Sequence, residues 1–412
     1  MSGADTGWMI LATGMVLLMT PALAFFYGGL VRSKNALNTM MMSFASMGVV
    51  GVLWAAVGYS IAFAPGSAWT GDLRFALLRG VGLDAKGSIP HVLFMAYQGT
   101  FAVITAALVS GAIVERMRFS AYLVFIALWG LVVYAPVAHW VWGGGWLGSM
   151  GTLDFAGGTV VHVNAGVAAL VAAMVLGPRR DHGRQAFLPH SVPLVLLGTG
   201  LLWFGWLGFN GGSALAASPV AALAAVNTVL APMATALVWM LLDAIRTRRM
   251  TAVGAATGIV VGLVAITPAA GFIGPRAALA LGAIAAFPSY YGILARSRTR
   301  LDDSLDVTPA HGLGGIVGAL LTGVFARAMW GGGDGWIAGK PSQVAIQGVG
   351  VLATLVYSGV ASFVLLKAVA LVVPLRPPER EEAVGLDVLE HGEEAYSSGE
   401  GAVLVLSDGG DR

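Results

Sequence analysis

Eleven apolar runs fill this chain, at roughly 8–31, 37–64, 91–114, 120–139, 155–177, 191–212, 220–242, 252–270, 274–295, 308–328 and 344–373. Each has about the length needed to cross a bilayer core of roughly 30 Å. Inside hydrocarbon every backbone N–H and C=O must be paired within the protein, so runs of this length read as helices. Only 11% of the 412 residues are charged and 57% are hydrophobic, whereas soluble domains average about 25% charged residues. The mean hydropathy of +0.80 agrees. The expected fold is an all-α polytopic membrane protein. Its 58 glycines suit helices that approach closely in lipid.

Composition also excludes function classes. A net charge of +2 gives no electrostatic footprint for nucleic acid. With no cysteine, disulfides, iron–sulfur clusters and thiol catalysis are ruled out. The residues ahead of the first run carry Asp5 and no Lys or Arg, so no positively charged signal-peptide start is expected. Basic residues sort the connections. Arg32 and Lys34, Arg116 and Arg118, Arg179, Arg180 and Arg184, Arg246, Arg248 and Arg249, and Arg296, Arg298 and Arg300 follow the odd-numbered runs. Trp140–Asp154 and Ser213–Pro219 contain none, although Pro65–Pro90 carries Arg74, Arg79 and Lys86. The positive-inside rule then predicts an outside N-terminus and a cytoplasmic C-terminus.

Eleven spans divide as five, five and one. Two consecutive five-span halves must run in opposite directions, the arithmetic of an inverted repeat. Spans 1–5 cover about 8–177, spans 6–10 about 191–328, and span 11 about 344–373. Together 1–375 form the membrane domain, and 376–412 a polar, acidic cytoplasmic tail that reads as surface-exposed. The fifth and tenth spans hold equivalent places and carry His162 and His311. Ionisable groups at that depth mark a pathway or a proton relay. His182, His190, His391, His91 and His139 fall in loops, the tail or near span ends, where solvated or interfacial roles are expected. No HExxH motif or third ligand suggests a metal site. Asp154, just ahead of the fifth span, is read first as a helix cap and second as a cation contact. Trp140, Trp142 and Trp146 surround Gly143–Gly145. An interfacial belt is the ordinary reading of such indoles, and a cation held by a ring face is the sharper one. Phe101 and Phe209 lie near Gln98, Thr100, Asn210 and Ser213, where they would narrow a pore.

These segments together resemble the ammonium transporter / Rhesus family, in its ammonium transporter branch, over nearly the whole chain. The motifs are FYGGLVRSKN (26–35), QGTFA (98–102), GAIVERMRF (111–119), AHWVWGGGWL (138–147), LDFAGGTVVHVNAG (153–166), WLGFNGGSA (206–214), VNTVLA (226–231), ITPAAGFIGP (266–275) and DDSLDVTPAHGLGGIVG (302–318). The resemblance implies a homotrimer with one pore per subunit. The compact loops and missing signal-peptide start suit a bacterial or archaeal inner membrane, and without a nucleophile–base set neither an enzyme nor a cofactor is expected. The resemblance assigns Trp142, Ser213 and Phe101 to an ammonium site, with Asp154 as the acid that supports it. Phe101 and Phe209 become a gate, His162 and His311 the paired pore histidines, and Trp206 a pore-lining residue. Gly385–Val388 with His391–Tyr396 is similar to the segment that couples subunits and meets PII-type signalling proteins. Tyr97, where many relatives have Phe, departs from the pattern, and its phenol is expected to bond vestibule water. Thr308–Ala310 departs as well.

Ammonium and potassium match in size and charge, and deprotonation separates them because potassium has no proton to give. The expected function is ammonium transport, with ammonia passing an apolar pore with or without the proton. The alternatives are an ammonium sensor that signals through the tail and a Rhesus-like neutral gas channel.

Overall fold

The computed structural model describes residues 1–396; the last stretch of the predicted tail, 397–412, lies outside the described residues. Among the described residues, ten helical segments are long and apolar enough to span. They are α1 (Gly3–Leu30), α2 (Ser33–Phe63), α3 (His91–Ser110), α4 (Phe119–Met150), α5 (Gly158–Leu176), α6 (Val192–Gly212), α7 (Pro219–Thr247), α9 (Pro275–Arg296), α10 (Thr308–Phe325) and α11 (Ser342–Ala370). The eighth predicted span is the shorter α8 (Ala252–Ile266). It stops early because Thr267-Pro268 follows, and proline cannot continue the hydrogen-bond ladder. Phe155 N–H then bonds the Pro268 carbonyl at 3.1 Å, which ties the start of α5 to the end of α8.

The helices begin where short polar side chains accept first-turn amides. Ser191 caps α6 through Leu194 N–H, Ser218 caps α7 through Ala221 N–H, and Thr251 caps α8 through Gly254 N–H. α1 and α6, the leading spans of the two halves, are in close contact. Small residues permit it: a Cβ on Gly198 would sit 2.4 Å from Phe26 N, and one on Gly208 2.9 Å from the Ala12 carbonyl. The fold is the expected five, five and one arrangement.

The repeat has a sequence signature that becomes plain only in three dimensions. Asp154 precedes His162 by eight residues, and Asp303 precedes His311 by eight; Gly166 and Gly315 each follow their histidine by four. Both histidines lie in a wide, π-type first turn, Gly158–Val163 in α5 and Thr308–Leu313 in α10. Such turns recur at functional positions.

Two faces of the bundle differ. The tryptophan face carries 64–90 and 140–157, and includes a small hairpin of β1 (Ala85–Lys86) and β2 (Ile89–Pro90). The opposite, basic face carries the arginine-rich connections and the tail. The tail is docked there rather than solvated. Its short helices α12 (Glu379–Val384) and α13 (Leu386–His391) bury Leu386, Asp387 and Glu382. The Asp387 carboxylate accepts Leu37 N–H at 3.0 Å and Asn38 N–H at 2.7 Å, so a tail acid caps the main helix of α2. In return, Asn35 Oδ1 accepts Leu386 N–H at 2.8 Å. Expected exposure holds for Glu379, Arg380, Ala383, Val384, Glu393, Glu394 and Tyr396, whereas Glu381, Glu382, Asp387 and Glu390 have partners on the membrane domain.

Candidate functional site

Asp154 begins the site. Its Oδ1 accepts the amides of Gly157 and Gly158 at 2.9 and 2.6 Å, and its Oδ2 accepts those of Thr159 and Val160 at 2.8 and 3.1 Å. These are the orphan donors of the α5 N-terminus, where a negative charge also meets the positive end of the helix dipole. With 5% exposure and four donors on two oxygens, the carboxylate faces amides rather than an open space. Gly157 allows the turn, since its φ is +112° and a Cβ would press on Val161 and Trp142. Trp142 Nε1 donates to the Asp154 carbonyl at 2.8 Å, so the same turn that starts α5 orients the indole.

The loop behind Trp142 is as tight as its three glycines suggest. A Cβ on Gly143 would fall 1.9 Å from the Ala62 carbonyl oxygen. Trp140 and Trp146 belong to helical turns rather than to a loop. Trp140 donates to the Trp69 carbonyl at 2.9 Å, which leaves Trp142 as the indole that meets Phe101. His139 and His91 are buried here instead of solvated. His139 sets both ring nitrogens against the carbonyls of Ala62 and Ser67, at 3.0 and 2.9 Å, and His91 meets Tyr59 Oη at 2.6 Å.

The ring of Phe101 in α3 lies edge-to-face with Trp142, centroids 6.1 Å apart at 90°. It stacks on Phe209 of α6 with centroids 4.1 Å apart and 21° between planes. Ser213, at the end of α6, bonds its hydroxyl back to the Phe209 carbonyl at 2.8 Å. Tyr97 sits elsewhere than expected. It is fully buried, and its hydroxyl lies 3.0 and 2.9 Å from the carbonyls of Gly208 and Phe209 and 3.3 Å from Ser213 Oγ. The phenol is tied to α6 and does not open onto a vestibule.

Past the two phenyl rings, His162 stacks at 5.4 Å on Trp206, whose Nε1 donates to Thr267 Oγ1 at 2.9 Å. His162 Nδ1 and His311 Nδ1 are 3.2 Å apart. Two nitrogens at that distance share one proton, so one ring is the Nδ1–H tautomer and the other presents a lone pair. The pair forms because α5 and α10 cross almost backbone to backbone: a Cβ on Gly166 would lie 2.4 Å from Gly312 Cα. His162 Nε2 is buried with no partner. It faces a narrow cavity of about 10 Å³ lined by Trp206, Phe209, Val161, Leu108, Phe26 and His311, among others, close to the least space that holds one water. The cavity is apolar apart from the imidazoles.

Beyond His311 a cavity of about 160 Å³ leads toward the basic face, with Tyr27, Ser304 and Asp306 on its wall. Several acids of this region were missed by sequence reasoning. Asp303 accepts Val307 and Thr308 amides at 3.0 and 2.7 Å, repeating for α10 the cap that Asp154 makes for α5. Its signal was present as the shared eight-residue spacing to histidine. Asp306 pairs with Arg296 at 2.7 Å. Burial pushes its carboxyl up to about 7; Arg296 opposes the rise and Asp303 adds to it. Behind them Arg179 bonds Asp302 at 2.8 Å and Glu115 at 3.0 Å, while Arg32 pairs with Glu115 at 2.9 Å. Burial alone would raise both carboxyls, but the bonds and charge of Arg179, then of Arg116 for Asp302 and Arg32 for Glu115, hold them below the usual range. Arg116 Nη1 also donates to Ser304 Oγ at 2.6 Å. This network fixes 302–306, the approach to α10, and through it the position of His311.

The structure thus brings Trp142, Phe101, Phe209, Trp206, His162 and His311 into one line, with Asp154, Ser213 and Tyr97 as neighbours that fix the walls. The family model described as the Ammonium Transporter Family matches residues 7–396. An ammonium transporter of Bacillus subtilis is 48% identical over 402 residues, covering 96% of this chain and 99% of that protein. One from Aquifex aeolicus is 49% identical, covering 95% and 93%. Among solved structures, Saccharomyces cerevisiae Mep2 superposes with a TM-score of 0.86 at 37% identity, over 92% of this chain and 88% of that one. A structure titled Sensor Amt Protein gives 0.88 at 29% identity, over 94% and 98%. With the family model matched over 7–396 and relatives matched almost end to end, the chain belongs to the ammonium transporter family.

Proposed function

We propose that this multi-pass membrane protein recruits ammonium at Trp142, Phe101 and Ser213, removes its proton, and conducts ammonia between Phe101 and Phe209 to the histidine pair. The observation that carries this reading is the 3.2 Å contact between His162 and His311 at an apolar cavity beneath the stacked rings. A bare cation there would lose its hydration and gain only neutral imidazoles, a large desolvation penalty; neutral ammonia forgoes only hydrogen bonds. The free Nε2 of His162 supplies one of those bonds, accepting from N–H in one tautomer and donating to the nitrogen lone pair in the other. A cation over the edge of the gate gains on the order of 1–2 kcal/mol from the Trp142 ring face. Asp154 acts through Trp142 and α5. The subunit works as a homotrimer in a cell membrane, with the tryptophan face outside, and a PII-type signalling protein meets the docked tail on the cytoplasmic side.

The test is current on a solid-supported membrane carrying liposomes with the purified protein, with ammonium and potassium pulses compared. Current with ammonium alone supports deprotonation with co-passage of the proton; no current, with internal pH rising, supports a neutral gas pathway. Replacing both His162 and His311 by Leu is expected to abolish ammonium flux or its selectivity over potassium. Wild-type flux and wild-type potassium exclusion in that variant would refute the pore role of the pair.

A further inference from the structure

The hairpin on the tryptophan face places a lysine where a solvated cation is not expected. β1 and β2 pair Lys86 with Ile89 across a turn at Gly87-Ser88, where Gly87 has a φ of +65°. A glycine at the first central position is what such a two-residue turn demands. The hairpin is held down by Ser2 N–H, which bonds the Ser88 carbonyl at 2.8 Å. It turns the Lys86 side chain inward, among rings drawn from three separate stretches. Nζ lies 4.8 Å from the ring centre of Phe94, 5.7 Å from those of Tyr59 and Phe75, and 6.0 Å from that of Phe63. All four distances fall within the range at which a ring quadrupole attracts a cation.

The rings form a built enclosure. Tyr59, Phe63 and Phe94 are buried. Phe63 and Phe94 meet edge to face at 5.1 Å, Tyr59 stacks on Phe63 at 5.7 Å and on Phe75 at 5.8 Å, and His91 closes the corner against Phe75 at 5.0 Å. Each ring is fixed by its neighbours, so the enclosure keeps its shape without the lysine. Among the described residues no carboxylate forms an ion pair with Lys86. Burial among the rings pushes its ammonium pKa below the ordinary value. A lysine on an exposed loop ordinarily snorkels its charge into water and buries only its stem. Here the charged end is also among the rings.

We propose that Tyr59, Phe63, Phe75 and Phe94 form an aromatic cation cage that this chain fills with its own Lys86, and that the cage takes a quaternary ammonium ion when the lysine is cut back. Rings at this spacing recognise a diffuse positive charge without needing N–H donors. The cage stands apart from the pore, since none of its rings belongs to the Phe101–Phe209 gate or the histidine pair. Its resident lysine staples the 64–90 connection to the first turn of α3, the helix that carries Phe101 further along.

The test uses full-length protein purified in detergent, with tetramethylammonium chloride as the probe, sodium chloride at matched ionic strength, and tert-butanol as the neutral molecule of similar shape. In Lys86→Ala the cage is empty, and tetramethylammonium is expected to raise the unfolding temperature saturably. Its preference over tert-butanol should be on the order of tenfold in half-saturating concentration. Lys86→Met fills the slot with an uncharged stem and should show no such shift. Equal effects of tetramethylammonium and tert-butanol on Lys86→Ala, or no effect of either, overturn the proposal. If Lys86→Ala does not fold, the wild-type chain answers instead. Progressive fluorination of the Phe94 ring keeps its shape and weakens its negative face. The unfolding temperature should fall stepwise in wild type and stay level in Lys86→Met. A series as level in wild type as in Lys86→Met overturns the cage.

Discussion

Replacing Asp154 by Asn separates a capping acid from a cation-binding one. The asparagine has nearly the same shape but exchanges one acceptor oxygen for an NH2 group. At present Oδ1 holds the Gly157 and Gly158 amides and Oδ2 those of Thr159 and Val160. Either orientation of the amide sets an NH2 donor against two backbone donors. Hydrogen bonds to a charged group contribute about 1.5–3 kcal/mol each, so losing two amounts to about 3–6 kcal/mol. The lost charge at the helix N-terminus adds about 0.3–2 kcal/mol more. Typical total stabilities are about 5–15 kcal/mol, so the loss is a large share of the whole. The assay pairs thermal unfolding of detergent-purified protein with ammonium affinity measured on the same sample. Asp154→Asn is expected to unfold many degrees below wild type. Asp154→Glu should fail as well, because an added methylene moves both oxygens off the amides although the charge is kept. Wild-type unfolding temperature in Asp154→Asn with ammonium affinity lost, or full rescue by Glu, would show a carboxylate that contacts the cation and refute the capping assignment.

Four further outcomes are expected. Asp303→Asn should destabilise by about half as much as Asp154→Asn, since the carboxylate accepts two amides rather than four, again read by thermal unfolding. Tyr97→Phe should leave ammonium affinity within about twofold and lower stability by about 1 kcal/mol, the net worth of one hydroxyl bond, because its phenol bonds α6 rather than substrate. Arg179→Met removes the shared partner of Asp302 and Glu115 and should destabilise by about 3–5 kcal/mol, as when one member of a buried pair is lost; an unfolding temperature equal to wild type would contradict it. The pH dependence has two opposite parts. Asp302 and Glu115, held low, contribute stability that is present above their unfolded pKa near 4 and lost as pH falls below it. Asp306, raised to about 7, binds its proton in the folded state first, so its contribution is present below about 4 and lost as pH rises toward and through about 7. Unfolding temperature measured against pH should therefore decline less between pH 5 and 8 in Asp306→Asn than in wild type, and equal slopes would count against this account.

Much of the architecture was legible because a bilayer leaves few choices. Run length and an odd number of spans per half lead to the observed arrangement of helices. The eighth span was overextended because hydropathy alone does not stop at Thr267-Pro268, although the proline does. His162 and His311 stood out because charge-capable residues are rare within apolar spans. Asp154 was read as a cap, yet its counterpart Asp303 was overlooked beside Asp302, an identical neighbour with a different partner. Tyr97 was misplaced because a phenol one turn from Phe101 looks accessible in a helix drawn alone, whereas its hydroxyl meets α6. Three other features could not be read from spacing. The Glu115–Arg179–Asp302 cluster joins residues 64 and 123 positions apart, the Lys86 cage draws its rings from three stretches, and Asp387 caps a helix some 350 residues earlier in the chain. Acidic tails usually read as solvated, and only docking shows which acid has found amides.

The two caps explain why the site is paired and yet not symmetric. An inverted repeat delivers an acid, a wide turn and a histidine from each half, and His162 and His311 meet. Identical surroundings would make the two ends of the site equivalent. They are not. The Asp154 end is saturated by four amides and orients Trp142 through its carbonyl, so it presents an indole and no free charge. The Asp303 end spends its acid on two amides and adds Asp306 with Arg296 beside a wider cavity. A ring face attracts a cation while leaving its protons movable, whereas a carboxylate that titrates near neutral pH can hold or yield one. On the transport reading, the first environment suits a cation that is about to lose a proton, and the second suits ammonia that must regain one. The asymmetry is therefore built by what surrounds each acid, since the repeat itself provides only the matching frame.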